Sequence, residues 1–202
     1  MLSLSVTVTV TLPQVAPKFF RVSAINAGGE SFPSAVVGAK ARQPGQPLAL
    51  VVNGFDRLDA SMGKLDNLTS FSLGTVVRIF VQRMNDGSTV RRYGDALNAN
   101  TVPFDSVSSE TLAANPVTIT SYNLLIWAAG RGHEGGAAPT MAEQNLMRAA
   151  QTAGVPLLFS GNATQDTAFM TSVLRVGLGT GTTGLTATGA GVLAGINGIS
   201  LA

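Results

Sequence analysis

The chain has 202 residues, 45% of them hydrophobic and only 12% charged, with a net charge of +2 from 13 Lys and Arg against 11 Asp and Glu. That apolar content supports a sizeable core and excludes an overall disordered chain; a small net charge with one basic pair, Arg91-Arg92, excludes a nucleic-acid surface. The absence of Cys excludes disulfides, a thiolate zinc site and a Cys nucleophile, and no run approaches the roughly 20 apolar residues of a membrane helix.

The first ten residues lack the basic start and continuous apolar stretch of a signal peptide. Residues 4–12 instead alternate with period two, so a strand is expected there with one apolar and one hydroxyl-bearing face. A second strand is expected over 18–25, a turn over 26–30 and a third strand over 35–41. The words FFRVSAINAGGESFPSAVV resemble the last two strands of a fibronectin type III domain, although Lys18 stands where that family keeps a corner Tyr. Such a sandwich needs about 100 residues. Residues 1–43 are therefore expected to be a partial all-β segment lacking its first half, or else a three-stranded appendage packed on the next domain. Gln43-Pro-Gly-Gln-Pro47, with two Pro and a Gly, reads as the linker, its core at 44–47.

Residues 48–53 are apolar almost throughout and end at Asn53-Gly54, the pattern of a strand buried on both faces of a parallel sheet. Residues 58–84 are irregular, with a loop expected at 63–68 and a strand at 75–82. Asp86 and Ser88 offer helix N-caps. Val90, Tyr93 and Leu97 then recur at helical spacing as a core-facing stripe, with Arg91, Arg92 and Asp95 directed away. A short strand is expected within 104–109.

A second buried strand is expected at 122–128, followed by a glycine-rich exit that contains Arg131, His133 and Glu134. Thr140 and Glu143 form a capping box after Pro139, so a helix starts there, and Gly154 stands where a C′ glycine would stop it. A third buried strand is expected at 155–159 and a short helix at 169–174. From Val176 to Ala202 no residue is charged, and the Gly-Thr repeats suggest β-structure with tight turns, or a tail without its packing partner.

The stretches VVNGFDR, RMNDGSTVRRYGDAL, FDSVSSETL, YNLLIWAAGRG, PTMAEQ and PLLFSGNAT, in this order, are similar to a bacterial extracellular family that places a fibronectin type III domain before an α/β domain. The likeness runs from about residue 17 to the C-terminus. Members carry the labels xanthan lyase or N-acetylmuramoyl-L-alanine amidase, and their α/β part is a class I glutamine amidotransferase-like domain. The resemblance implies a flavodoxin-like three-layer α/β domain with a mostly parallel sheet over 48–202, cut short at its C-terminus, in a secreted or cell-surface bacterial protein. Two departures bear on activity. The family has an acidic pair where this chain has Arg131-Gly-His133-Glu134, and acidic and Trp residues where it has Asn162, Ala163 and Thr164.

In a doubly wound sheet, ligands sit outside the carboxyl ends of the strands. Three exits are expected to converge there: Asn53 to Arg57, Gly130 to Glu134, and Ser160 to Asn162. Gly130, Gly132 and Gly135 match the spacing of a dinucleotide-binding loop, but the helix starts only after Pro139, so the glycines do not open it and no nucleotide cofactor is expected. Ser160 at a strand exit invites a nucleophile reading, with His133 as base and Glu134 or Asp166 behind it. Leu158 is bulky for the strained turn such a Ser needs, and the sole His precedes it in the chain. One His and one Glu are too few for a metal site. Asp56, Arg57, Arg131, Asn162 and Asp166 are the candidate binding residues, with Asp56-Arg57 also readable as a structural ion pair. The expectation is a non-catalytic module that binds a polysaccharide or cell-wall component, or another domain of its own protein. The alternative is a hydrolase of amide or glycan bonds in envelope polymers, using Ser160 and His133.

Overall fold

The computed structural model of the chain describes residues 9–12, 16–54, 64–69, 72, 74–78, 87–114, 119–130, 139–161, 167–175, 186–187 and 199–200. Within the expected first strand, residues 9–12 are not strand, and 1–8 lie outside the described residues. The expected second strand is broken into β1 (Lys18–Phe20) and β2 (Ile25–Asn26). The cause is side-chain competition for the backbone. The amide of Val22 donates to Ser34 Oγ (3.0 Å) and that of Ala24 to Ser31 Oγ (2.9 Å), in place of ladder carbonyls. β2 turns back into β3 (Gly29–Glu30) through Ala27-Gly28, where Asn26 Oδ1 accepts from the Gly28 amide at 2.8 Å.

The third expected strand is narrower than its pattern, β4 (Val37–Ala39), antiparallel to β1 with Phe19 opposite Gly38. This segment is stitched to the α/β unit. Ser106 Oγ donates to the Gly38 carbonyl and accepts from its amide, both at 2.7 Å, and the Lys40 amide donates to the Phe104 carbonyl at 2.8 Å. The Phe19 and Phe104 rings lie 6.0 Å apart.

β5 (Ala49–Asn53) is buried at all five residues, as its unbroken apolar run requires. The region read as a loop at 63–68 holds a strand, β6 (Lys64–Asn67), paired antiparallel with β7 (Thr75–Arg78). Cross-strand pairs hold this hairpin: Leu65 faces Val77, and Asp66 meets Arg78 at 3.3 Å. No periodicity within the short run betrays such pairing.

α1 (Thr89–Ala99) buries Val90, Gly94 and Leu97 and packs Tyr93 beside them, while Arg91 pairs with Asp95 on the exposed side at 3.6 Å. The expected hydroxyl cap is not made: Ser88 has ψ 11°, not the extended backbone that turns a cap oxygen onto the first turn. At Gly94 a Cβ would lie 2.5 Å from Phe104 and 2.8 Å from Phe19, so the missing side chain is what lets both rings close on the helix.

β8 (Phe104–Ser108) leads into α2 (Ser109–Ala114) and a 3-10 turn (Ile119–Ser121). β9 (Leu124–Gly130), α3 (Met141–Thr152) and β10 (Leu157–Gly161) follow. The capping box forms as expected, and α3 stops just before Gly154, at φ 76°. α4 (Thr167–Phe169) passes into a π turn (Met170–Leu174), and β11 (Thr186–Ala187) pairs antiparallel with β12 (Ile199–Ser200).

The four strands β10, β9, β5 and β8 lie side by side in that order, all parallel. The expectation of adjacent, parallel strands at 48–53, 122–128 and 155–159 therefore holds. Helices cover both faces, making the chain α/β. On one face Leu50, Val52, Leu125 and Trp127 pack with Leu112 of α2, Met147 and Ala150 of α3, and Phe169. On the other, Ala49, Val51, Phe104 and Ile126 pack with Val90 and Leu97 of α1. The third strand is not buried on both faces as its sequence suggests. β10 is the sheet's edge among the described strands, and Leu158 is 49% exposed. Among the described residues no helix is long and apolar enough to cross a membrane.

Candidate functional site at the strand carboxyl ends

Because the four strands are parallel, the exits at Asn53, Ser108, Gly130 and Gly161 share one edge of the sheet. The chain leaves β5 for β8 on one side and leaves β9 for β10 on the other. The connections diverge between β5 and β9, which makes this the switch point at which ligands bind in sheets of this kind. Asn53 sits opposite Ala128 there, 8% exposed. The Gly54 amide donates to the Ala128 carbonyl at 2.8 Å, and a Cβ on Gly54 would lie 2.9 Å from Trp127 Nε1. Glycine is what lets the chain leave β5 so close to the indole.

Helices that return from this edge bring their first turns to it. Thr140 Oγ1 accepts from the Glu143 amide at 3.4 Å, and the Glu143 carboxylate accepts from the Thr140 amide at 2.6 Å. Ser108 Oγ accepts from the Thr111 amide at 3.2 Å and donates to Thr111 Oγ1 at 3.0 Å, capping α2 in the same way. Gln144 is 2% exposed. Its Nε2 donates to the Pro139 carbonyl at 3.1 Å, which fixes the amide's orientation and leaves Oε1 buried without a hydrogen bond among the described residues. At this edge the Thr140 and Ser108 hydroxyls are thus engaged in helix caps and the Gln144 amide is buried. Among the described residues no group of three His, Asp or Glu could hold a metal ion.

Of the sequence-derived candidates, Ser160 is described. It lies within β10, half-buried, opposite Ala128, with a register shift between it and Gly161. The non-glycine described residues with left-handed backbone are Ser72, Thr101 and Arg175, so Ser160 has none of the strain of a nucleophile turn. His133, Glu134, Asp56, Arg57, Arg131, Asn162 and Asp166 lie outside the described residues. The fold thus brings the exits of β5, β9 and β10 to one edge. Sequence reasoning missed Gln144; its signal was a polar residue three positions before Met147, on the core stripe of α3. Comparisons with family models, with curated proteins and with solved structures find no match to this chain.

Proposed function

We propose that the chain is a non-catalytic binding module with a flavodoxin-like α/β unit of the class I glutamine amidotransferase-like type, from a secreted or cell-surface bacterial protein. It takes a glycan or a protein partner at the carboxyl edge between β5 and β9. Numbered in chain order, the sheet strands lie 2-1-3-4, which supports the flavodoxin-like reading. The observation that carries the non-catalytic reading is the backbone of Ser160, held in a strand ladder without left-handed φ. A nucleophilic Ser is normally presented on a sharp turn beside its base.

The irregular register at Ser160 and Gly161 favours a second reading, because bulges re-aim side chains beside active sites. In that reading the chain is a hydrolase of amide or glycan bonds with Ser160 and His133 as its centre. A fluorophosphonate probe separates the two. The expected result is no adduct on Ser160; an adduct that disappears in His133→Ala would overturn the binding-module proposal.

A further inference from the structure

A groove of about 820 Å³ runs along the 21–33 segment, lined by Arg21, Ser23, Glu30, Ser31, Phe32 and Pro33. It is built from different residues than the strand exits, so its occupancy does not depend on a ligand there. We propose that this groove binds a neutral glycan, with a pyranose ring stacked on Phe32 and its hydroxyls shared between Arg21 and Glu30.

The walls are held before any ligand arrives. The Ser31 amide donates to the Ala24 carbonyl at 2.8 Å and the Ser34 amide to the Val22 carbonyl at 2.7 Å. Ser31 Oγ and Ser34 Oγ hold the opposite segment through the amides of Ala24 and Val22, and Ser23 Oγ donates to the Glu30 carboxylate. A site fixed in this way loses little conformational entropy on binding.

Phe32 is 79% exposed, which core packing does not account for. An exposed aromatic face offers a large apolar contact with few rotamers to freeze, and it suits the C–H face of a sugar ring. Polar groups at the rim then complete the match. The Arg21 guanidinium carries five donors, and among the described residues it enters neither ion pair, Asp66–Arg78 or Arg91–Asp95. Among the described residues Glu30 accepts one bond, from Ser23, and keeps acceptor capacity for hydroxyl donors. Adjacent sugar hydroxyls both donate and accept, so one ring can satisfy both walls. Arg21 and Glu30 give the lining no net charge, so it has no excess attraction for a polyanion or a polycation. The exposed Val22 and Ile25 are not in the lining, whose apolar side chains are Phe32 and Pro33, too small an apolar face for an amphipathic helix.

The test is a 15N amide titration of the full chain with cellohexaose, xylohexaose and N-acetylchitohexaose. Polygalacturonate serves as the anionic probe and a proline-rich peptide as the polypeptide probe. At least one neutral oligosaccharide is expected to shift the Ser23, Glu30, Ser31 and Phe32 amides. Phe32→Ala is expected to weaken that binding at least about tenfold with an unchanged unfolding midpoint, since the ring is mostly in solvent. The proposal is overturned if none of the three sugars moves these amides, if Phe32→Ala binds as well as the parent, or if polygalacturonate or the peptide is the tighter ligand. Shifts confined to Gly54 and Gly130 would also overturn it, while supporting the strand-edge site instead.

Discussion

Tyr122 donates its phenolic hydrogen to Asp105 Oδ2 at 3.1 Å, joining the entrance of β9 to β8 on the far side of β5. Burial, then the charge of Asp105, then this hydrogen bond push the phenol from 10.0 up to about 12. The folded state therefore holds the proton more tightly than the unfolded chain does. The stabilisation is fully present below pH 10 and is lost as pH rises toward 12. Tyr122→Phe should cost about 1 kcal/mol at neutral pH. In urea unfolding from pH 8 upward, the gap between parent and variant should narrow above pH 10. A constant gap would show that the hydrogen bond does not perturb the phenol.

Gly54→Ala should be destabilising by about 1–3 kcal/mol. The new Cβ would stand 2.9 Å from Nε1 of Trp127, a side chain 1% exposed that has no room to swing away, and 3.2 Å from the Ala128 carbonyl. Trp127 is the only Trp, so its fluorescence reports this position directly. The expected outcome is a lower denaturant midpoint together with a shifted emission maximum in the native state.

Thr140→Ala removes one half of the α3 capping box and leaves the Glu143 amide without its hydroxyl acceptor. A loss of about 1 kcal/mol is expected. Hydrogen exchange in the first turn of α3 should quicken, with little change at Ala149 and Ala150. Uniform quickening along the helix would mean that the cap matters to global unfolding only.

Gln144→Met deletes a buried acceptor that has no partner among the described residues, together with a donor that serves the Pro139 carbonyl. These effects oppose one another, because an unmet buried acceptor costs about 1–3 kcal/mol and the lost bond about 1 kcal/mol. The melting temperature is expected to stay within a few degrees of the parent or to rise. A steep fall would mean that Oε1 has a bonding partner in solution.

Local chemistry was legible in the chain. Thr140 and Glu143 are three residues apart, and their reciprocal bonding needs nothing beyond one helical turn. The stripe of Val90, Tyr93 and Leu97 is likewise set by the helical repeat. Side-chain capture of the Val22 and Ala24 amides was not legible, since the serines that break the strand come from residues 31 and 34. A strand was expected over 75–82 and β7 lies within it, but β6 was read as a loop, because its stability lies in pairs with β7 that its own four residues do not betray.

The same division governs the candidate site. By itself the sequence determined that apolar runs near 48–53, 122–128 and 155–159 belong in a parallel sheet, because only covered faces tolerate such runs. That alone put Asn53, Gly130 and Ser160 at a common edge where the chain leaves the sheet. Only the tertiary structure decided which run sits in the middle. Ile126 is 3% exposed and its ladder partner Leu158 is 49% exposed, although both lie in equally apolar stretches. Their difference is strand order: β9 has a neighbour on each side and β10, among the described strands, has one. The bond between Tyr122 and Asp105, residues 17 apart, belongs to the same category. Strand order depends on contacts between segments distant in the chain, and no run of residues carries a record of its eventual neighbours.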